Sequence, residues 1–167
     1  CLAASLKLAL PDATHLSLAF DMYAAMSPGT AKTTIEGLGN GGLIRQNGLL
    51  HTTAIAAYSR DIDFGRGVRH AASISWGDVA TAFYSTDIPN IIVYIATPKS
   101  QALVMRWLLN PLRALFRSSK VQQWLKAQVD LRIPGPNEQQ RAQARAWLWG
   151  EARNASGTTV RARLETA

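Results

Sequence analysis

The chain has 167 residues, 47% of them hydrophobic and 17% charged, which suits one domain with a sizeable core and excludes a disordered or collagen-like polypeptide. Its net charge of +7 is lopsided: residues 1–98 hold six Lys/Arg against seven Asp/Glu, and residues 99–167 hold twelve against four. Cys1 is the only cysteine, which excludes an internal disulfide and fits a reducing, cytoplasmic setting, and no apolar run reaches the roughly 18 residues of a spanning helix.

Leu2, Leu6 and Ala9 fall on one side of a short predicted helix over 1–10 that Pro11 stops. Thr14 to Tyr23 alternates, with Leu16, Leu18, Phe20 and Met22 on one face and His15, Ser17, Ala19 and Asp21 on the other, which predicts a half-buried strand. Ser27-Pro28 then opens a helix, Ser27 as N-cap and Pro28 at the first helical position. The start of this helix offers backbone N–H groups and the hydroxyls of Ser27, Thr30 and Thr33, a setting that favours a carboxylate, carbonyl or phosphate. The plainer reading is a well-capped helix.

Gly37-Leu38-Gly39-Asn40-Gly41-Gly42 spells G-x-G-x-x-G, yet it follows a helix and leads into an extended segment. A dinucleotide fingerprint must do the reverse, so these glycines read as a helix C-cap and a turn. Gln46-Asn47-Gly48 predicts a further turn. Tyr58 to Phe64 and a return strand holding Val68, Ala72, Ile74 and Trp76 on one face predict a hairpin about Gly65-Arg66-Gly67. Arg60, Asp61, Asp63 and Arg69 lie near its turn, where they are expected to pair across it.

The stretch 74–98 reads as strand, turn, short helix, turn, strand. Trp76-Gly77-Asp78 marks its first turn, Val79, Ala82 and Phe83 share a helical face, and Ile91 to Ala96 is continuously apolar, as in a strand covered on both faces. Beyond Pro98 a helical region runs to about Leu131, with Leu103, Trp107, Leu108, Leu112, Leu115 and Phe116 on one side, Arg106, Arg113 and Arg117 on the other, and a break at Pro111. A second helix over 120–129 carries Val121, Trp124, Leu125 and Gln128. Such a basic amphipathic pair is expected to cover a sheet; resting on a membrane surface is the alternative. After the rigid Ile133-Pro134-Gly135-Pro136, residues 141–153 and 158–166 predict a long hairpin about 154–157, although 138–146 could equally start as helix. A four-residue loop would put Trp147 and Trp149 on the face of Val160, Ala162 and Leu164, and a shift of one residue would reverse that.

One cysteine and the scattered His15, His51 and His70 make no metal cluster. Asp61 and Asp63 project to one strand face without further ligands, G-x-S-x-G does not occur, and Cys1 lacks a base. Basic and aromatic residues do not interleave, which speaks against nucleic acid. No catalytic residue can be named on these grounds, and no metal or cofactor ligand. What remains is the helix start at Ser27–Thr33 and the turn at Trp76–Asp78.

Three segments resemble one family. SPGTAKTTIEGL at 27–38, RDIDFGRGVRHAASISWGDVATAFYSTDIPNIIVY at 60–94 and WGEARNASG at 149–157 are similar to the saccharopine dehydrogenase-like oxidoreductases, the group that includes trans-acting enoyl reductases; together they cover about a third of the chain. Ser75 stands where Pro is expected before Trp-Gly-Asp, and Asp87 where Gly is usual before Ile-Pro-Asn. The resemblance implies a parent with an N-terminal Rossmann domain for NAD(P), followed by an α/β domain that shapes the substrate side and the homodimer contact. This chain matches the second part only. It opens on Cys1 without Met and stops at Ala167, and reads as a piece of a longer protein, a processed mature protein being the alternative.

The expectation is therefore an α/β fold of α+β type, a mixed and largely antiparallel sheet with helices mainly on one face. The whole of 1–167 is expected to be a single substrate-side and dimerisation domain that holds no cofactor itself. Ser27, Gly29, Thr30, Thr33, Trp76 and Asp78 are its expected contacts to a small-molecule substrate. The alternative is a non-catalytic module whose basic helices bind acidic lipid or a protein partner, with peripheral membrane contact.

Overall fold

Strand β6 (Asn90–Ala96) is the axis of the sheet. Ile91 and Val93 are buried on one face and Tyr94 on the other, which is why this run can be apolar at successive positions. The computed structural model describes residues 1–23 and 27–166. Beside β6 lies β1 (Ala13–Tyr23), parallel, with Leu16 opposite Ile91 and Leu18 opposite Val93. Next comes β7 (Arg145–Asn154), antiparallel to β1, then β8 (Thr159–Thr166). The other edge of β6 is shared: β2 (Gly42–Gln46) meets it at Ile91, and β5 (Val68–Ser73) meets it at Tyr94–Ala96. Hairpins add β3 (Leu49–Thr53) to β2 and β4 (Ser59–Asp63) to β5. Among the described residues the result is an eight-stranded sheet in which only β1 and β6 run parallel. This is the mixed, largely antiparallel α/β architecture expected.

Among the described residues three hydrophobic clusters hold it together. On one face, Leu6 and Leu10 of the segment around α1 (Leu2–Ala9) and Val79 and Ala82 of α3 (Asp78–Thr86) cover Leu16, Leu18, Ile91 and Val93. Gly150 of β7 lets α1 approach: a Cβ there would stand 2.5 Å from Leu6 Cδ1. Further along the same face, Ala72 of β5, opposite Ile95, packs with Ile55 and Ala102. The other face is covered by the curled β4–β5 hairpin, whose Ile62 and Phe64 lie on Ala19, Tyr94 and Trp149.

Helix α2 (Pro28–Leu38) begins as its cap predicts, the Ser27 hydroxyl accepting from Thr30 N at 3.2 Å. Asn47 and Gly48 both take positive φ, 50° and 80°, so the β2–β3 turn is the mirror-image type that Asn-Gly favours. Asp87 ends α3 in the left-handed region at φ 53°. That conformation explains why glycine is the residue expected there.

Several expectations are corrected. Strand β1 is not half-buried throughout: Ala19 and Asp21 are as inaccessible as Phe20, because the hairpin covers their side as well. The return strand β5 stops at Ser73, before Ile74 and Trp76. Strand β7 runs to Asn154, whose carboxamide oxygen accepts from Thr158 N and Ser156 Oγ, each at 2.8 Å. This register puts Leu148, Gly150 and Ala152 on the face of Val160, Ala162 and Leu164, and turns Trp147 and Trp149 to the opposite face.

The largest departure concerns residues 99–132. They form α4 (Lys99–Val104), a π-helical segment (Met105–Leu109), α5 (Arg113–Phe116) and α6 (Ser119–Arg132), with the break near Pro111. The arm from Lys99 to Phe116 does not lay its predicted apolar side on the sheet. Asn110 and Arg113, with Arg117 just beyond, face inward instead. The Asn110 carboxamide bonds both the N–H and the carbonyl of Ile55, Arg113 Nη2 donates to Asn40 O at 2.8 Å, and Arg117 Nε donates to Gly39 O at 3.0 Å. Ala102, Met105 and Leu109 complete that inner side. The side bearing Leu103, Trp107 and Leu108 is turned to solvent.

Candidate functional site

A cavity of about 520 Å³ opens on the helical face of the sheet, between α1 and α3. Local sequence places its walls. The chain leaves β5 at Ser73, and Ser75 Oγ donates to Gly41 O at 2.9 Å, which fixes the approach to Trp76. The Trp76 ring then packs on Phe20 of β1, centroids 4.8 Å apart and tilted by 50°. Helix α3 starts immediately afterwards, and Asp78, Thr81 and Ser85 recur on one of its sides at helical spacing. All three line the cavity, opposite the apolar α1 and Leu148. Asp78 is the one carboxylate among the described residues of its wall.

Thr81 Oγ1 and Ser85 Oγ donate to the carbonyls of Gly77 and Ala82, which leaves their lone pairs turned outward as acceptors. A mostly apolar recess with an aromatic plate, one carboxylate and two hydroxyls suits a small molecule with an apolar body and a donor group.

Of the six residues singled out by sequence, Trp76 and Asp78 are brought together on this wall, and Ser27, Gly29, Thr30 and Thr33 are not among its residues. At the start of α2 the hydroxyl groups serve the helix: Ser27 Oγ lies 2.9 Å from Thr30 Oγ1, and Thr33 Oγ1 donates to Gly29 O at 3.1 Å. The Ile133–Pro136 linker passes beside it, a Cβ on Gly135 coming within 3.2 Å of Pro28 Cδ. Phe20, Thr81 and Ser85 were missed. The recurrence of the last two at three and seven residues past Asp78 was the available signal.

The glycines near position 40 do not fit a dinucleotide. A Cβ on Gly41 would stand 2.5 Å from the Arg113 guanidinium, and one on Gly42 2.4 Å from Ala54 O, so protein already fills the space a pyrophosphate would need.

A second polar cluster lies on the opposite face and is closed on itself. Glu151 of β7 is bracketed by Arg60, Nη1 to Oε1 at 2.9 Å, and Arg161, Nε to Oε2 at 2.7 Å. Burial raises its pKa, but the hydrogen bonds and charges of the two guanidinium groups outweigh that and hold it below the ordinary glutamate value. Arg60 also lies over the Trp149 ring, and Arg66 over Trp147. Burial pushes the Tyr94 phenol up, against the opposing pull of Arg60. The expected pairing across the hairpin turn is replaced here: Arg60 reaches Glu151, and Asp63 reaches Arg163 Nη2 at 2.7 Å. Asp61 stays within the hairpin only through His70 Nδ1, at 2.8 Å. Among the described residues no group of three His, Cys, Asp or Glu is set to hold a metal.

No family model and no curated protein matches the chain. Among solved structures it is similar to an apo histidine-tagged saccharopine dehydrogenase (L-Glu forming) from Saccharomyces cerevisiae, at 7% identity and a TM-score of 0.49. The match covers 98% of this chain and 56% of that one. A likeness at that level carries no inference about activity.

Proposed function

We propose that the chain is the substrate-side and dimerisation domain of an NAD(P)-dependent oxidoreductase of the saccharopine dehydrogenase-like kind. The observation that carries the reading is the position of Trp76–Asp78. This turn belongs to the longest segment of family resemblance, and it forms the polar wall of the cavity. In this reading Trp76 and Phe20 hold the apolar part of the substrate, and Asp78 accepts from its donor group while Thr81 and Ser85 orient it. Ser27, Gly29, Thr30 and Thr33 face a nucleotide-binding half that lies outside these residues. That half supplies NAD(P) and its hydride, so the present domain alone is inactive. The dimer contact falls to an open sheet edge, where β3 exposes Leu49 and Leu50. The setting is cytoplasmic.

The test uses the protein extended to include its nucleotide-binding half. Trp76→Ala and Asp78→Asn should each raise KM about tenfold while NAD(P)H affinity stays unchanged. Tight dinucleotide binding by the 167-residue chain itself, or unchanged KM in both variants, would overturn the assignment.

A further inference from the structure

The outward side of the 99–116 arm is apolar along most of its length. Leu103, Val104, Trp107, Leu108, Leu112 and Leu115 are all exposed, Trp107 by 72%. At helical spacing these positions fall within one half of the surface of the arm. Its other half is already engaged, through Asn110, Arg113 and Arg117 and through the cluster around Ile55. So many large apolar side chains in a row on an outer surface mark a docking face.

The charge around it says what docks. Residues 99–132 carry seven Lys/Arg against one Asp, and no acid occurs between Asp87 and Asp130. Arg106, Lys120 and Arg132 are exposed and have no side-chain hydrogen bond or ion pair among the described residues. Two copies meeting on this face about a twofold axis would bring like charges together, at a cost in free energy. An anionic lipid surface would neutralise them. Tryptophan and leucine flanked by arginine and lysine are the side chains that settle at the level of lipid headgroups.

We propose that the outward side of Leu103–Leu115 docks on an anionic membrane, with Trp107 and Leu108 among the acyl chains and Lys120 on lipid phosphates. Among the described residues no helix is long and apolar enough to cross a membrane, so the arm lies on the leaflet. The arm shares no residue with the wall of the Trp76 cavity, and the proposal stands apart from the oxidoreductase reading.

The 167-residue chain is sedimented with vesicles of phosphatidylcholine alone and with vesicles containing about one-third phosphatidylserine. Binding to the anionic vesicles should be about tenfold tighter or more, and should weaken as salt rises. A Leu108→Ser/Leu112→Ser variant should lose binding while keeping its circular dichroism and melting temperature. An Arg106→Gln/Lys120→Gln/Arg132→Gln variant should bind both vesicle types alike. The Trp107 emission, taken as the difference from Trp107→Phe, should be quenched by brominated acyl chains. Failure to bind either vesicle overturns the proposal, as does binding that both variants leave unchanged. A dimer in sedimentation equilibrium that Leu108→Ser/Leu112→Ser dissociates would assign the face to a second copy and overturn it equally.

Discussion

Strand β6 and the 99–116 arm are both rich in large apolar side chains, and the fold treats them in opposite ways. Around β6, strands on both edges and layers on both faces leave Ile91 fully inaccessible. The arm uses Asn110 and Arg113 as its inward anchors and leaves Leu108 55% exposed. Apolar composition states what a segment would gain by leaving water. Whether it does so depends on the neighbours that the rest of the chain supplies.

The sharpest way to break this contrast is a pair of truncations. Ile91→Ala should cost about 2–5 kcal/mol in urea unfolding, since it empties a closed site beside Leu16. Leu108→Ala should change stability by no more than about 0.5 kcal/mol. A comparable loss at Leu108 would mean that the arm packs on the domain after all.

Buried and exposed cations give the second pair. Arg45 is 6% exposed; its guanidinium donates to Val79 O and Ala80 O at 3.1 and 3.3 Å and lies 4.3 Å from the Phe83 ring centre. Arg45→Gln should cost about 2–3 kcal/mol by the same measurement, through lost charge-assisted hydrogen bonds between β2 and α3. Arg106→Gln should cost almost nothing.

Acid sharpens the picture on the sheet side. The folded pKa of Glu151 lies below its ordinary value of 4.5, so its pairing stabilises the protein above that value and is lost as pH falls through the lower, folded one. Glu151→Gln should cost about 1–2 kcal/mol at pH 7 and should flatten the fall in urea midpoint between neutral and acidic pH. The smallest effect is a gain: Asp87→Gly should raise stability by about 0.5–1 kcal/mol, because glycine adopts a positive φ without strain.

Much of the fold was legible because local chemistry and tertiary need agree. The Ser27 cap, the Asn47-Gly48 turn and the unbroken apolar run of β6 each state one outcome. The wall of the cavity was legible only at Trp76 and Asp78, where a turn meets a helix start. Phe20 could not be read, since it joins the site through an aromatic contact 56 residues away in sequence from Trp76. The hairpin of β7 and β8 shows a different limit: one residue of loop length decides which face the tryptophans take, and the Asn154 side chain sets that length. The arm misled because helical periodicity reports two sides without saying which is inside. Asn110, polar in an apolar run, was the clue to its orientation.

The order of the sheet bears on how the polypeptide comes to be organised during synthesis. Strand β1 is made well before both strands that flank it, which start at Asn90 and Arg145. Until β6 and then β7 have been made, its hydrogen-bonding edges stay open. Such long-range pairing makes folding slow and leaves the emerging polypeptide open to aggregation. A ribosome-tethered product ending before Arg145 should accordingly hold chaperones longer than one that extends past β8.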